Sequence, residues 1–124
     1  MNDIDIIDEI VDGYVTCALW SSLDDDGSPL DDWADVDDIT PMSLAAMRAD
    51  VIGFLRANQE DADAYRVFRD WECFGHDFWL TRNHHGAGFW DRGLGDLGQR
   101  LTDAAHVYGS VDLYIGDDGK VYGQ

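Results

Sequence analysis

Gly75-His76-Asp77-Phe78-Trp79-Leu80-Thr81-Arg82-Asn83-His84-His85-Gly86-Ala87-Gly88-Phe89-Trp90-Asp91 is the stretch on which the architecture turns. After Gly75, Phe78 and Leu80 share one side of an alternating pattern while Asp77, Trp79 and Thr81 share the other, the period of a half-buried strand. Asn83 to Gly88 has turn composition, and Phe89-Trp90-Asp91 reads as the returning strand. A β-hairpin is therefore expected here. Downstream, Leu94, Leu97, Leu101, Ala105 and Tyr108 form a helical stripe that stops at Gly109, a C-cap residue. Val111, Leu113 and Ile115 then alternate into Gly116-Asp117-Asp118-Gly119 and Lys120-Val121-Tyr122, a second hairpin. Two hairpins separated by a helix predict a small antiparallel sheet backed by that helix.

Upstream of the stretch the period is helical. Ile4, Ile7, Val11, Tyr14 and Ala18 fall on one face of a helix from about Asp3 to Leu19, with Asp5, Glu9 and Asp12 opposite. Ser21 to Ile39 has Gly27, Pro29, dense Asp and no sustained period, so it reads as a long loop pinned by Leu23, Leu30, Trp33 and Val36. Thr40-Pro41 is an N-cap and first turn, opening a helix that carries Leu44, Met47, Val51 and Leu55 to about Asn58. A third, shorter helix is expected over Glu60 to Trp71, burying Ala64, Tyr65, Phe68 and Trp71. The predicted class is α+β, with N-terminal helices packed against the small sheet. One domain is expected over residues 1–124, an acidic, mainly helical part (1–72) followed by a hairpin-helix-hairpin part (73–124). At 45% hydrophobic residues the 124-residue chain has enough apolar surface for one core without staples.

The charge decides the class of partner. The chain has 26 acids against 8 bases, a formal net charge of -18, and every charged residue before Arg48 is negative. Such a chain repels nucleic acid and anionic membranes and is drawn to basic surfaces. Asp5 with Glu9 and Asp8 with Asp12 are like-charge pairs at helical i,i+4 spacing, each costing about 0.2–0.5 kcal/mol. Stability alone would interleave lysines, so their exclusion points to a basic partner. The candidate partner-binding residues are Asp5, Asp8, Glu9, Asp12, Asp24, Asp25, Asp26, Asp31, Asp32, Asp35, Asp37 and Asp38, with Trp33 as an aromatic anchor among them. At one charge per about 1.7 Å of duplex, this net charge matches roughly 30 Å of DNA, comparable to the span of a domain with a radius of gyration of about 14 Å. Two blander readings compete: acidity for solubility only, and adaptation to high salt. The single Lys against seven Arg favours the latter, whereas only three Glu and five Trp oppose it.

Catalytic and metal signals are thin. His76, Asp77, His84, His85 and Asp91 would gather beside the first hairpin, and Cys73 lies three residues from His76. The alternative reading is therefore a small metal-dependent or Cys/His enzyme at the His76–Asp91 hairpin. No His-x-x-x-His or Cys-x-x-Cys spacing supports it. The structural alternative has Asn83, Gly86 and Gly88 making the turn, tied by Arg82, Asp91 and Arg92. Ser22, Asp24, Asp26 and Gly27 approach the first half of a calcium-loop register, but Trp33 stands where its closing acid belongs. Gly93 to Gly98 lacks the strand that precedes a nucleotide-binding loop. No catalytic residue, metal or cofactor is expected. Cys17 and Cys73, without framework spacing, read as thiols. There is no run of about 20 apolar residues and no basic, signal-like start, so a cytoplasmic location is expected.

Along Asp77-Phe78-Trp79-Leu80-Thr81-Arg82-Asn83-His84-His85-Gly86-Ala87-Gly88-Phe89-Trp90-Asp91-Arg92, continued by Val111-Asp112-Leu113-Tyr114 and Gly116-Asp117-Asp118-Gly119, the chain resembles a group of small bacteriophage and prophage proteins. The resemblance covers roughly the C-terminal two fifths. That group has no established activity, so it implies a mobile-element setting and contributes no catalytic residues. In charge, though not in motif, the chain is similar to the DNA-mimic inhibitors of phages. Together these imply an acidic protein in the host cytoplasm. It would bind a basic nucleic-acid-binding host protein of restriction, repair, recombination or defence and compete with DNA or RNA, itself touching neither nucleic acid nor membrane. An accessory phage protein with a merely solubilising acidic surface is the third reading.

Overall fold

Asn2 starts the first helix by accepting the Asp5 N–H on its side chain at 2.9 Å. In the computed structural model, which describes residues 2–123, α1 then runs Asp3–Ser21. Ile7, Ile10, Val11, Tyr14, Cys17 and Ala18 face inward, while Asp5, Asp8, Asp12, Thr16 and Trp20 form the exposed stripe at helical spacing. Ile4, assigned to the apolar face by its period, is exposed, one turn short of the core. An aspartate-rich loop follows, broken by 3-10 turns at Leu30–Asp32 and Val36–Asp38. Thr40 caps α2 (Pro41–Ala57), its hydroxyl accepting the Ser43 N–H, with Pro41 in the first turn as expected.

The third predicted helix is shorter than its pattern. It ends as α3 (Gln59–Arg66), buries Ala62 and Tyr65 rather than Ala64 and Phe68, and leaves Val67 and Phe68 exposed. Asp70 accounts for the break. Its carboxylate accepts the Cys73 N–H at 2.8 Å and starts a new helix, α4 (Trp71–Arg82), with Trp71 as the first residue.

The first expected hairpin is therefore not present: Gly75 to Arg82 is helix, and Phe89–Asp91 is a 3-10 turn. The alternation misled because Asp77, Phe78, Trp79, Leu80, Thr81 and Arg82 are all buried. A segment buried on every side has no polar face, so its polar and apolar residues carry no period. After the turn, α5 (Asp96–His106) buries Leu97, Leu101 and Ala105 and is followed by Gly109 at φ 70°, the predicted stop. The C-terminal hairpin forms as read, with β1 (Leu113–Ile115) antiparallel to β2 (Val121–Gly123) and Tyr114 opposite Tyr122. Thus the fold is α+β, with five helices and one two-stranded sheet among the described residues. The hairpin joins the entrance of α2, not α5: Val121 bridges Ile39, the Thr40 N–H donates to the Val121 carbonyl, and the Gly123 N–H donates to Ser43 Oγ. Among the described residues no helix is long and apolar enough to cross a membrane.

The core is organised by the crossing of α1 and α4. A methyl group at Gly75 would run into the Ile10 carbonyl and stand 2.7 Å from the Tyr14 nitrogen; one at Gly13 would overlap the Glu72 carbonyl. Around this crossing Phe54 stacks on Phe78 with centroids 4.0 Å apart, and Phe74 and Phe89 extend the aromatic cluster.

Two charged side chains of α4 lie inside the core, and both are fully partnered. Arg82 donates to Tyr14 Oη (3.0 Å), Asp50 Oδ2 (2.7 Å) and the carbonyls of Gly109 (2.8 Å) and Tyr108 (2.9 Å). Asp77 accepts from Tyr65 Oη at 2.6 Å and from Arg92 Nη2 at 2.8 Å, with Arg69 Nε 3.7 Å away. The ties expected within the 83–91 turn thus run mainly elsewhere, Arg82 to Asp50 and Arg92 to Asp77, although Arg92 also lies 3.7 Å from Asp91.

Gly75→Ala is expected to cost about 1–3 kcal/mol in urea unfolding through backbone overpacking, whereas Gly86→Ala, with open space around it, stays near neutral. A pH dependence follows from burial, which pushes the Tyr14 phenol and, with the nearby Asp77 carboxylate adding to it, the Cys17 thiol up to about 12 from ordinary values of 10.0 and 9.0. The folded state keeps protons that the unfolded chain releases. Stability is then complete below about pH 9 and falls as pH rises toward 12, so the urea midpoint drops between about pH 9 and 12, and Tyr14→Phe flattens that drop.

Candidate acidic docking face

The N-terminal carboxylates divide into those that build the loop and those that do not. Asp24 Oδ1 accepts the N–H groups of Asp26 (2.9 Å) and Ser28 (3.0 Å), closing the turn around Gly27. Asp35 accepts the Asp37 N–H at 2.9 Å, and Asp38 returns a bond from the Asp35 N–H at 2.8 Å, a reciprocal cap on the second 3-10 turn. Asp8 pairs with Arg48 of α2 at 2.7 Å, both ends in solvent, a contact worth at most about 1 kcal/mol. Asp5, Asp12, Asp25, Asp26, Asp31, Asp32 and Asp37 are exposed, and their carboxylates meet no hydrogen-bond or ion-pair partner among the described residues. Glu9 is half-buried and likewise unpaired.

Leu30 and Ala34 fix the loop to α1. They lie one turn apart, the Ala34 N–H donating to the Leu30 carbonyl at 2.9 Å, and both are buried. Trp33, on the opposite side of that turn, is 46% exposed, and Leu23 and Val36 are also exposed. Three of the four expected pins thus face solvent, and Leu30, Ala34 and Ile39 do the anchoring.

Between α1 and this loop runs a groove of about 530 Å³. Val11, Val15 and Leu19 of α1 and Ala34 and Val36 of the loop make its apolar floor and wall. Asp12 stands on the helix side, Asp31 and Asp35 on the loop side. A second depression of about 280 Å³ on the other side of Asp12 has Glu9, Glu72 and Asp70 in its wall, but also Arg66. Sequence reading found the three aspartates and missed the floor. Its signal was the spacing Val11, Val15, Leu19, one residue per turn at the margin of the buried face.

The histidine and cysteine residues are dispersed over other elements. His84, at φ 57°, stacks on His106 with ring centroids 4.4 Å apart. His85 borders a different depression beside Trp79 and Asn83. His76 lies on α4, its Nε2 buried without a hydrogen-bond partner among the described residues. Asp77 is bound by Tyr65 and Arg92, and Asp91 accepts the Gly88 N–H at 2.9 Å. Burial raises the Cys73 thiol, with Asp70 adding to it, the wrong direction for a nucleophile. Both cysteines are free thiols. Among the described residues no three His, Cys, Asp or Glu side chains gather as a metal-binding group.

No family model, curated protein or solved structure matches this chain.

The division of carboxylates is measurable. Asp24→Ala and Asp35→Ala are each expected to lose about 1 kcal/mol in urea unfolding, the value of a cap. Asp31→Ala and Asp32→Ala should leave the midpoint unchanged or slightly higher, because each removes a charge from a self-repelling surface.

Proposed function

We propose that this chain is an acidic decoy of the phage type, which docks on a host nucleic-acid-binding protein and competes with DNA or RNA by offering carboxylates where phosphates would bind. The reading is supported by one observation above all: exposed aspartates of α1 and of the loop stand on both sides of one groove with no cationic partner among the described residues. An unpaired carboxylate keeps its full charge for an incoming guanidinium or ammonium group. Arg and Lys side chains that normally hold phosphates would form charge-assisted hydrogen bonds to it. Association would be fast and salt-sensitive, as expected when two strongly opposite fields meet.

The test uses a variant with Asp12, Asp25, Asp26, Asp31, Asp32 and Asp37 changed to Asn, leaving the capping residues Asp24, Asp35 and Asp38 in place. The parent protein, immobilised and incubated with bacterial lysate at low salt, is expected to capture a nucleic-acid-binding protein that added duplex DNA or RNA, or about 0.5 M salt, displaces. The variant, shown by circular dichroism to be folded, should lose that capture. Equal capture by parent and variant, or capture indifferent to added nucleic acid, would overturn the decoy reading and leave acidity with a solubilising role.

A further inference from the structure

The groove contains a feature that a pure phosphate mimic does not require, namely a hydrophobic floor. From Val11 to Leu19 the helix advances about 12 Å at 1.5 Å per residue, the length of two helical turns. Val15 and Leu19, 3% and 5% exposed, form the closed bottom of that floor, so its open apolar surface comes chiefly from Val36, 43% exposed, on the wall. All its charged wall residues are aspartates, whereas Arg66 and Arg100 stand in the walls of two other depressions. The carboxylates lie on both sides, Asp12 on one and Asp31 with Asp35 on the other.

Resting on the decoy reading above, we infer that this groove receives a basic amphipathic helix of the partner. Its apolar residues, spaced i, i+3 or i+4, would lie on the Val15–Val36 floor, and Lys or Arg on both flanks of the stripe would reach Asp12 on one side and Asp31 and Asp35 on the other. An extended strand fits less well. Its side chains alternate between two faces, so basic residues next to an apolar one point away from the groove. A helix offers an apolar stripe with charges on both margins at once. Apolar burial also gives the pair a component that salt does not screen, and this sets helix docking apart from charge attraction alone.

The probe is a synthetic Leu/Lys peptide of about 14 residues with leucines at helical i, i+3, i+4 spacing, compared with a scrambled peptide of equal composition and a charge-matched Ser/Lys peptide. Binding is measured by calorimetry at about 50 and 300 mM salt and located by amide chemical shifts. The helical peptide is expected to bind at least about tenfold tighter than either control, to keep most of that margin at the higher salt, and to shift the amides of Val15, Thr16, Ala34 and Val36. Thr16→Trp, which plugs the groove from an exposed position, and Val36→Ser should erase the margin without altering net charge. Equal affinity for the three peptides, or an unchanged margin in both groove variants, would overturn the inference. Lysate capture by the same two variants separates the levels. Capture kept by both, yet lost in the Asp→Asn protein, removes the helix-in-groove mode and leaves the decoy reading standing, whereas failure of the decoy test itself removes both.

Discussion

Gly13 and Gly75 let the backbones of α1 and α4 approach until any Cβ would strike a carbonyl of the other helix. At that separation α4 is enclosed along most of its length, and from Asp77 to Arg82 no side chain reaches open solvent. Enclosure obliges every polar atom of the segment to find a protein partner, because an unpaired buried charge costs several kcal/mol. The loops are placed accordingly. Arg82 reaches the carbonyls of Tyr108 and Gly109 and thereby holds the end of α5 against α4. Asp77 draws in Tyr65 from α3 and Arg92 from beyond the third 3-10 turn. Even Trp79 sends its indole N–H to Ser21 at the end of α1.

The same networks explain where the positive charge of the molecule goes. With 8 basic residues in the chain, Arg92 and Arg69 lie against the buried Asp77, buried Arg82 reaches the partly exposed Asp50, and Arg100 lies against Asp61 on α3. Arg48 pairs with Asp8 of α1, and Arg66 stands in the wall of the depression that Glu9 and Asp12 share. These pairings leave the carboxylates of the aspartate loop without an ion-pair partner among the described residues.

How much of this was legible follows from what each segment buries. Half-buried helices announced themselves: α1, α2 and α5 have one wet face each, so Ile7, Val11 and Tyr14, or Leu97, Leu101 and Ala105, recur at the helical period. The C-terminal hairpin was legible from its turn chemistry, and Gly119 at φ 78° is the residue that requires glycine there. Illegible was α4, because full burial erases periodicity and its only local marker, the Asp70 cap, sat inside what looked like a longer helix. Of the candidate face, the acids could be enumerated, but the apolar floor could not. Val11, Val15 and Leu19, at most 9% exposed, read as ordinary core, and only the folded chain shows that they underlie a groove whose open apolar wall is Val36 of the loop.

That groove bears on how far phosphate mimicry can extend. One DNA strand presents a phosphate about every 3.4 Å of axis, whereas a stripe of residues four apart on a helix presents a charge about every 6 Å. On α1 the stripe is further thinned, since Asp8 is engaged by Arg48 and Thr16 and Trp20 follow Asp12. A single helix is too sparse to imitate even one strand, so any decoy built on it needs a second row. Asp31 and Asp35 supply that row across the groove, and between the two rows lies aliphatic surface in place of a third line of charge. Affinity for a basic partner then has two sources of different character: the rows set approach and orientation through a screened field, and the floor adds contact that persists when salt removes the field. A partner that offered only phosphate-binding side chains would use the first and leave the second wet.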